Sequence, residues 1–442
     1  MSYTITKNLI ENVETNLTPK GVRFTGRVSR YDGNLLECDG FPANIGAICD
    51  VETDQGIKEK AEIVGFNNGK NCLSLFQSGA KIKSGSRVSL LDDGYSIPVG
   101  ETLLGRVVDA LGNPLDGLPE PLLRETWPLN GVQLNPLVRN PVSKPLDVGI
   151  RGINGLMTVG QGQRLGIIAG SGVGKSVLLG MMSKNTTADV IVVGLIGERG
   201  REVGKFVNDI LTSEAKARTV VVAVPADRSP LLRIRGANRA TAIAEFFRNN
   251  GKNVLLIMDS LTRVAHARRE IGLALGEQPT AKGYPPSVVS LIPKLVERSG
   301  TGIGNQGSVT AFYTVLADGD DTNDPVVDTA RAILDGHILL SREQSQLGIY
   351  PALDIPNSVS RVMTEITSVA HQELASKFRR LVSLYLENRD LILMGGYSAG
   401  QDAQLDEAVN LWPTLVSYLQ QKESVKANME SSINELEKIL GV

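Results

Sequence analysis

Cysteine is scarce in this chain: Cys38, Cys49 and Cys72 are its only three, and none stands in a C-x-x-C spacing. That pattern excludes a disulfide framework and a thiolate metal site, and it points to a reducing cytoplasm. Histidine is equally sparse. His266, His337 and His371 show neither an H-E-x-x-H nor an H-x-x-E-H spacing, which excludes the helical zinc-hydrolase arrangements. No run of about 18 apolar residues occurs, and the start MSYTITKNLIENVETNL lacks the basic opening and unbroken apolar stretch of a signal peptide. Any membrane association is therefore expected through partners. An excess of one charge is missing too, since 46 Lys and Arg stand against 48 Asp and Glu for a net −2, which gives no global attraction to nucleic acid.

What is present is a phosphate-binding loop. Residues 169–176 read AGSGVGKS, after the apolar run 165–168 and before the helix-like stretch 177–182. Strand, glycine loop and helix is the context such a loop requires. Gly170, Gly172 and Gly174 carry no Cβ, so the backbone between Ser171 and Val173 is free to pass through positive φ and turn its N–H groups onto phosphate oxygens. Lys175 then supplies a point charge to the β- and γ-phosphates of ATP and Ser176 a hydroxyl for Mg²⁺, while the helix opened by Val177 presents its positive end. The strict pattern asks for glycine where Ala169 stands, a residue small enough to fit.

Hydrolysis also needs a carboxylate for the metal and one for water. The run 254–259, VLLIMD, ends a buried-strand pattern in Asp259, which is placed to reach Mg²⁺ at a strand's carboxyl edge or, alternatively, to cap the helix that follows. Residues 192–202, VVGLIGERGRE, put Glu198 just past another such strand. Glu198 is the candidate for polarising the attacking water; its alternative is a surface acid paired to Arg199 or Arg201.

Hydropathy divides the chain. Residues 1–18 carry Ile5, Leu9, Val13 and Leu17 at helical spacing. From 20 to 92, short β-rich runs at 22–28, 34–38, 45–51, 62–66, 72–76 and 87–91 are broken by turns, as in a small antiparallel barrel. Its aromatics, Phe24, Tyr31, Phe41, Phe66 and Phe76, lack the interleaved basic cluster of a single-strand-binding barrel. A Pro- and Gly-rich connection spans 93–150. From 150 to 345, Val/Ile/Leu runs alternate with helical patterns, so an α/β parallel sheet covered on both faces is predicted, with ligands at the strands' carboxyl ends. The pattern is helical after about 360, and 424–440 carries Val425, Met429, Ile433, Leu436 and Leu440 on one stripe.

The segments AGSGVGKS, VVGLIGERGREV, LLIMDSLTR and GLALGEQPTAKGYPPSV together resemble the ATPases of type III protein export, the flagellar branch most closely, with the injectisome branch next and rotary ATP synthase catalytic subunits more distant. The interval from Lys175 to Glu198 is the one that family has between its loop lysine and catalytic glutamate. The resemblance implies a RecA-like P-loop domain at 93–345, preceded by the barrel at 19–92 and an assembly or docking helix at 1–18, and followed by a helical domain at 346–442. It also implies that Arg361, in 358–361 SVSR, is an arginine finger acting across a homo-hexameric ring, and that Tyr350 stacks on adenine. Residues 272–286 resemble the loop facing a central channel that holds a coiled-coil stalk. Further implied partners are a regulatory protein at the N-terminus, export-gate proteins, and exported substrates with their chaperones, at the cytoplasmic face of the inner membrane. Two rivals remain at this stage: an injectisome ATPase that releases effectors from chaperones, and a ring-shaped nucleic-acid translocase.

Overall fold

The computed structural model describes residues 24–441 apart from 34, 78 and 318–323, so the segment 1–18 lies outside the described residues. Two compact units divide at Tyr95 and Ser96. In the first, strands Thr25–Tyr31, Leu36–Asp39, Ile48–Glu52, Lys58–Asn67, Lys70–Leu75 and Arg87–Asp92 close into a barrel. Alternation of apolar and polar side chains fills its interior with Val28, Leu36, Val51, Ile63, Leu73 and Val88. The three cysteines lie in this unit, all buried and free, and burial pushes the Cys38 and Cys49 thiols up to about 12. The third strand starts later than its apolar run, because Gly46 turns the chain at φ 97°.

The second unit is built on a sheet in the order Val359–Ser360, Gly336–Leu340, Arg164–Ala169, Ser308–Leu316, Asn253–Asp259, Val190–Ile196, Thr219–Val224, Val107–Val108. All neighbours on this path are parallel except the first pair. The central strands are apolar on both faces because both are covered. Ile167, Ile191 and Val193 pack with the loop helix Lys175–Asn185 and the carboxyl-terminal helices, whereas Ile168, Val192 and Met258 pack beneath Pro230–Asn249, Leu261–Ala274 and Pro286–Val296. The strand Val359–Ser360 carries the sheet past residue 345, into the span 346–442 for which the resemblance implies a helical domain.

The helices Val369–Leu393, Ala403–Leu419 and Met429–Leu440 share the sheet's core through Phe378, Leu415, Tyr418 and Leu436. The last helix is shorter than its stripe. Asn428 accepts from the Ser431 N–H as its cap, which leaves Val425 outside it.

A buried ion pair ties three elements together. Arg298 donates to both carboxylate oxygens of Glu245, at 3.1 and 2.8 Å, and to Asn238, while Trp127 Nε1 donates to the same glutamate at 3.0 Å. Removing one partner strands the other's charge, so Arg298→Met is expected to cost about 3–5 kcal/mol. A lower denaturant midpoint, partly restored by adding Glu245→Gln, checks this.

Candidate active site

The parallel register gathers the site at one end of the sheet. Ala169 ends its strand beside Leu316 and Leu340, and the neighbouring strands deliver Asp259 and the turn to Glu198 on the same side. Left-handed backbone falls at Gly172, φ 82°, and Gly174, φ 92°, the latter capping the helix that starts at Lys175. Ser176 and Val177 follow in its first turn, and Val173 is buried beneath the loop. At Gly174 a Cβ would also meet the Tyr350 ring at 3.4 Å. The positive φ makes alanine strained there, and its Cβ would stand in van der Waals contact with that ring.

Lys175 Nζ lies 2.5 Å from Asp259 Oδ1 and 3.5 Å from Glu198 Oε1. Burial opposes its charge, but the two carboxylates outweigh that and raise its pKa. Asp259 Oδ1 also accepts from Thr314 Oγ1 at 2.6 Å. The capping role falls to Ser260, whose Oγ accepts from the Arg263 N–H, so Asp259 is free of it. Glu198 is 9% exposed and faces Lys175, while Arg199 pairs instead with Glu202 at 3.9 Å. The surface-acid alternative does not describe this geometry. Burial first, then the nearby Asp259, push the Glu198 carboxyl up to about 7, against the lowering effect of Lys175. Gly197, φ 75°, makes the turn that presents it, with Arg263 packed where a Cβ would stand.

Tyr350 is 45% exposed, with its ring against Gly174 and its hydroxyl 2.7 Å from Ser345 Oγ. Arg361 is not brought to this chain's loop. Its N–H donates to Asp335 O, at the amino end of the strand whose far residue Leu340 pairs with Ala169. The rise from Asp335 to Leu340, at about 3.3 Å per residue, is roughly 16 Å. The guanidinium is exposed and meets the Arg331 carbonyl at 3.4 Å. In the loop 272–286, Glu277 fixes the path by accepting from Arg268 and the Ser287 N–H.

Sequence reasoning passed over Thr314 and Gln421. For the first, the readable signal is a buried threonine one step past the Met258–Tyr313 pair, level with the strand end that delivers Asp259. Nothing local marked the second, whose partners are far away in the chain.

A glycine loop whose lysine is met by acids from two adjacent parallel strands defines a P-loop ATPase. Residues 149–360 match the ATP synthase alpha/beta family nucleotide-binding domain, and residues 367–438 the T3SS EscN ATPase C-terminal domain. The chain belongs to the flagellum-specific ATP synthase family, within the wider group of type III secretion ATPases. It is 52% identical to the flagellum-specific ATP synthase of Salmonella typhimurium, over 95% of this chain and 94% of that one. To the Bacillus subtilis protein of the same name it is 45% identical, over 99% of both. Among solved structures, the assembled ATPase EscN of the enteropathogenic E. coli type III secretion system superposes with a TM-score of 0.89 at 40% identity, covering 94% of this chain and 100% of that one. EscN in complex with its central stalk EscO gives 0.86 at 39%, with the same coverage. Among the described residues no helix is long and apolar enough to cross a membrane.

Proposed function

We propose that this chain hydrolyses ATP with Mg²⁺ in a homo-hexameric ring, and that the ring energises unfolding and export of flagellar proteins through a type III export gate. One observation carries the reading: a single ammonium, Lys175, lies between two carboxylates at the mouth of a phosphate loop. Two acids against one base leave the group short of positive charge, and buried Glu198 Oε1 has only the long 3.5 Å approach of Lys175. That donor set fits a divalent cation held by Asp259 and the Ser176 hydroxyl. When bound, Mg²⁺ supplies charge neutralisation at the β- and γ-phosphates.

The chain's own residues do the rest. The loop amides and Lys175 bind and orient the triphosphate; Glu198, with a carboxyl poised near neutrality, polarises the attacking water. Tyr350 offers its exposed face to the purine. Arg361 lies too far from its own loop and acts on the neighbouring subunit's site.

The same reading places the protein in the cytoplasm, at the inner membrane only through partners. A coiled-coil stalk sits in the channel against 272–286, and a regulatory protein docks at the N-terminus. Identity of 52% to the Salmonella flagellar relative against 40% to EscN supports flagellar cargo over injectisome effectors. ATPase activity per chain should rise with protein concentration, and rise further when a coiled-coil stalk protein is added. Activity that stays constant in protein shown by sedimentation to be monomeric overturns the ring.

A further inference from the structure

We propose that Gln421 is a positioning residue for the base-stacking tyrosine, so that purine binding at Tyr350 depends on how the carboxyl-terminal helices are seated. The inference rests on the reading of Tyr350 as the purine platform.

Gln421 follows the helix Ala403–Leu419 and is 6% exposed. Its amide is nearly saturated. Oε1 accepts from the Arg151 N–H at 2.8 Å, and Nε2 donates to Gly149 O and to Val425 O, each at 2.8 Å. The amide orientation is fixed, because its oxygen faces an N–H and its nitrogen two carbonyls. These bonds clamp the turn after the helix to the start of the segment Arg151–Leu156, which packs beneath the sheet.

From that clamped turn the main chain reaches the nucleotide loop. The Gln421 N–H donates to Tyr350 O at 2.9 Å, and Gln420 Nε2 donates to Gly348 O at 3.3 Å. The Tyr350 side chain is otherwise held lightly, by Ser345 at its hydroxyl and by the close approach to Gly174. Its backbone is thus anchored from the carboxyl-terminal helices, and its ring lies against the phosphate loop. A buried amide with three bonds has one geometry, and losing it leaves Gly149 O, Val425 O and the Arg151 N–H without that partner. The anchor then loosens at the base end of the site, while the phosphate end stays held by its own strand and helix.

The test separates base from phosphate. Calorimetric titration of the full chain with MgADP and with magnesium pyrophosphate gives two dissociation constants. For Gln421→Ala the MgADP constant should rise about fivefold, part of the worth of a base–aromatic stack, with pyrophosphate unchanged within about twofold. Tyr350→Ala should move the same ratio at least as far, and the double variant no further than Tyr350→Ala alone. Should the alanine variant fail to fold, Gln421→Met keeps the volume, loses all three side-chain bonds without burying a charge, and should give a rise of the same kind. Equal weakening of both ligands, no weakening of either, or additive effects in the double variant overturns the proposal. If Tyr350→Ala itself leaves the ratio unmoved, the purine-platform reading fails and takes the coupling with it. If Tyr350→Ala moves the ratio and Gln421→Ala does not, the coupling alone fails.

Discussion

Arg361→Ala is expected to lower turnover by about 10³- to 10⁵-fold, the range measured for arginine fingers, while MgATP affinity changes little. The reason is positional. Arg361 bonds at the amino end of the edge strands, and Lys175, Glu198 and Asp259 cluster at the carboxyl end, so the substitution leaves its own subunit's site intact. What it removes is a planar, permanently charged group that would meet the γ-phosphate of the next subunit as charge develops. Mixing decides between a role across the interface and one within the subunit. Arg361→Ala and Glu198→Gln chains are each inactive alone, yet a mixed ring contains interfaces where an intact Glu198 meets an intact Arg361. Activity should partly return as the two are combined. No return, in rings shown to exchange subunits, would mean that Arg361 serves its own chain or only the fold.

The second large effect separates binding from chemistry. Lys175→Ala takes away the cation that contacts both Asp259 and Glu198, and with it a charge-assisted contact to the phosphates. Such contacts contribute about 1.5–3 kcal/mol, so MgATP binding should weaken roughly 10- to 100-fold and hydrolysis should vanish. Glu198→Gln keeps the shape and removes the base. Its MgATP affinity should stay within about threefold, with turnover reduced by on the order of 10²–10⁴. Equilibrium binding of a fluorescent nucleotide alongside single-turnover hydrolysis reads both quantities. Equal loss of affinity in the two variants would remove Glu198 from its role on the water.

The barrel and the sheet were legible because their signals are local. Six short alternating runs became six barrel strands, and the strands at 190–196, 219–224, 308–316 and 336–340 coincide with runs rich in Val, Ile and Leu, since a strand covered on both faces is predominantly apolar. Boundaries shifted where one residue overrode the pattern, as Gly46 did by turning the chain and Asn428 by capping a helix after Val425. For Glu198 and Asp259 the residues alone left two readings each. Only the placing of Lys175 between them, with Ser260 as the actual cap, separated those readings.

The sequence by itself determined the phosphate loop, because its chemistry is written in consecutive residues whose glycines, lysine and hydroxyl have fixed relative positions along the backbone. It likewise determined the order of barrel, sheet and helices, because hydrophobic period is a property of neighbouring residues. Tertiary structure decided what depends on distant parts of the chain meeting. It set Thr314 on Asp259, put Arg361 at the opposite end of the sheet from Lys175, and tied Tyr350 to Gln421. Such contacts are fixed by strand order and register, which emerge only when the whole sheet is assembled, and no local pattern encodes them.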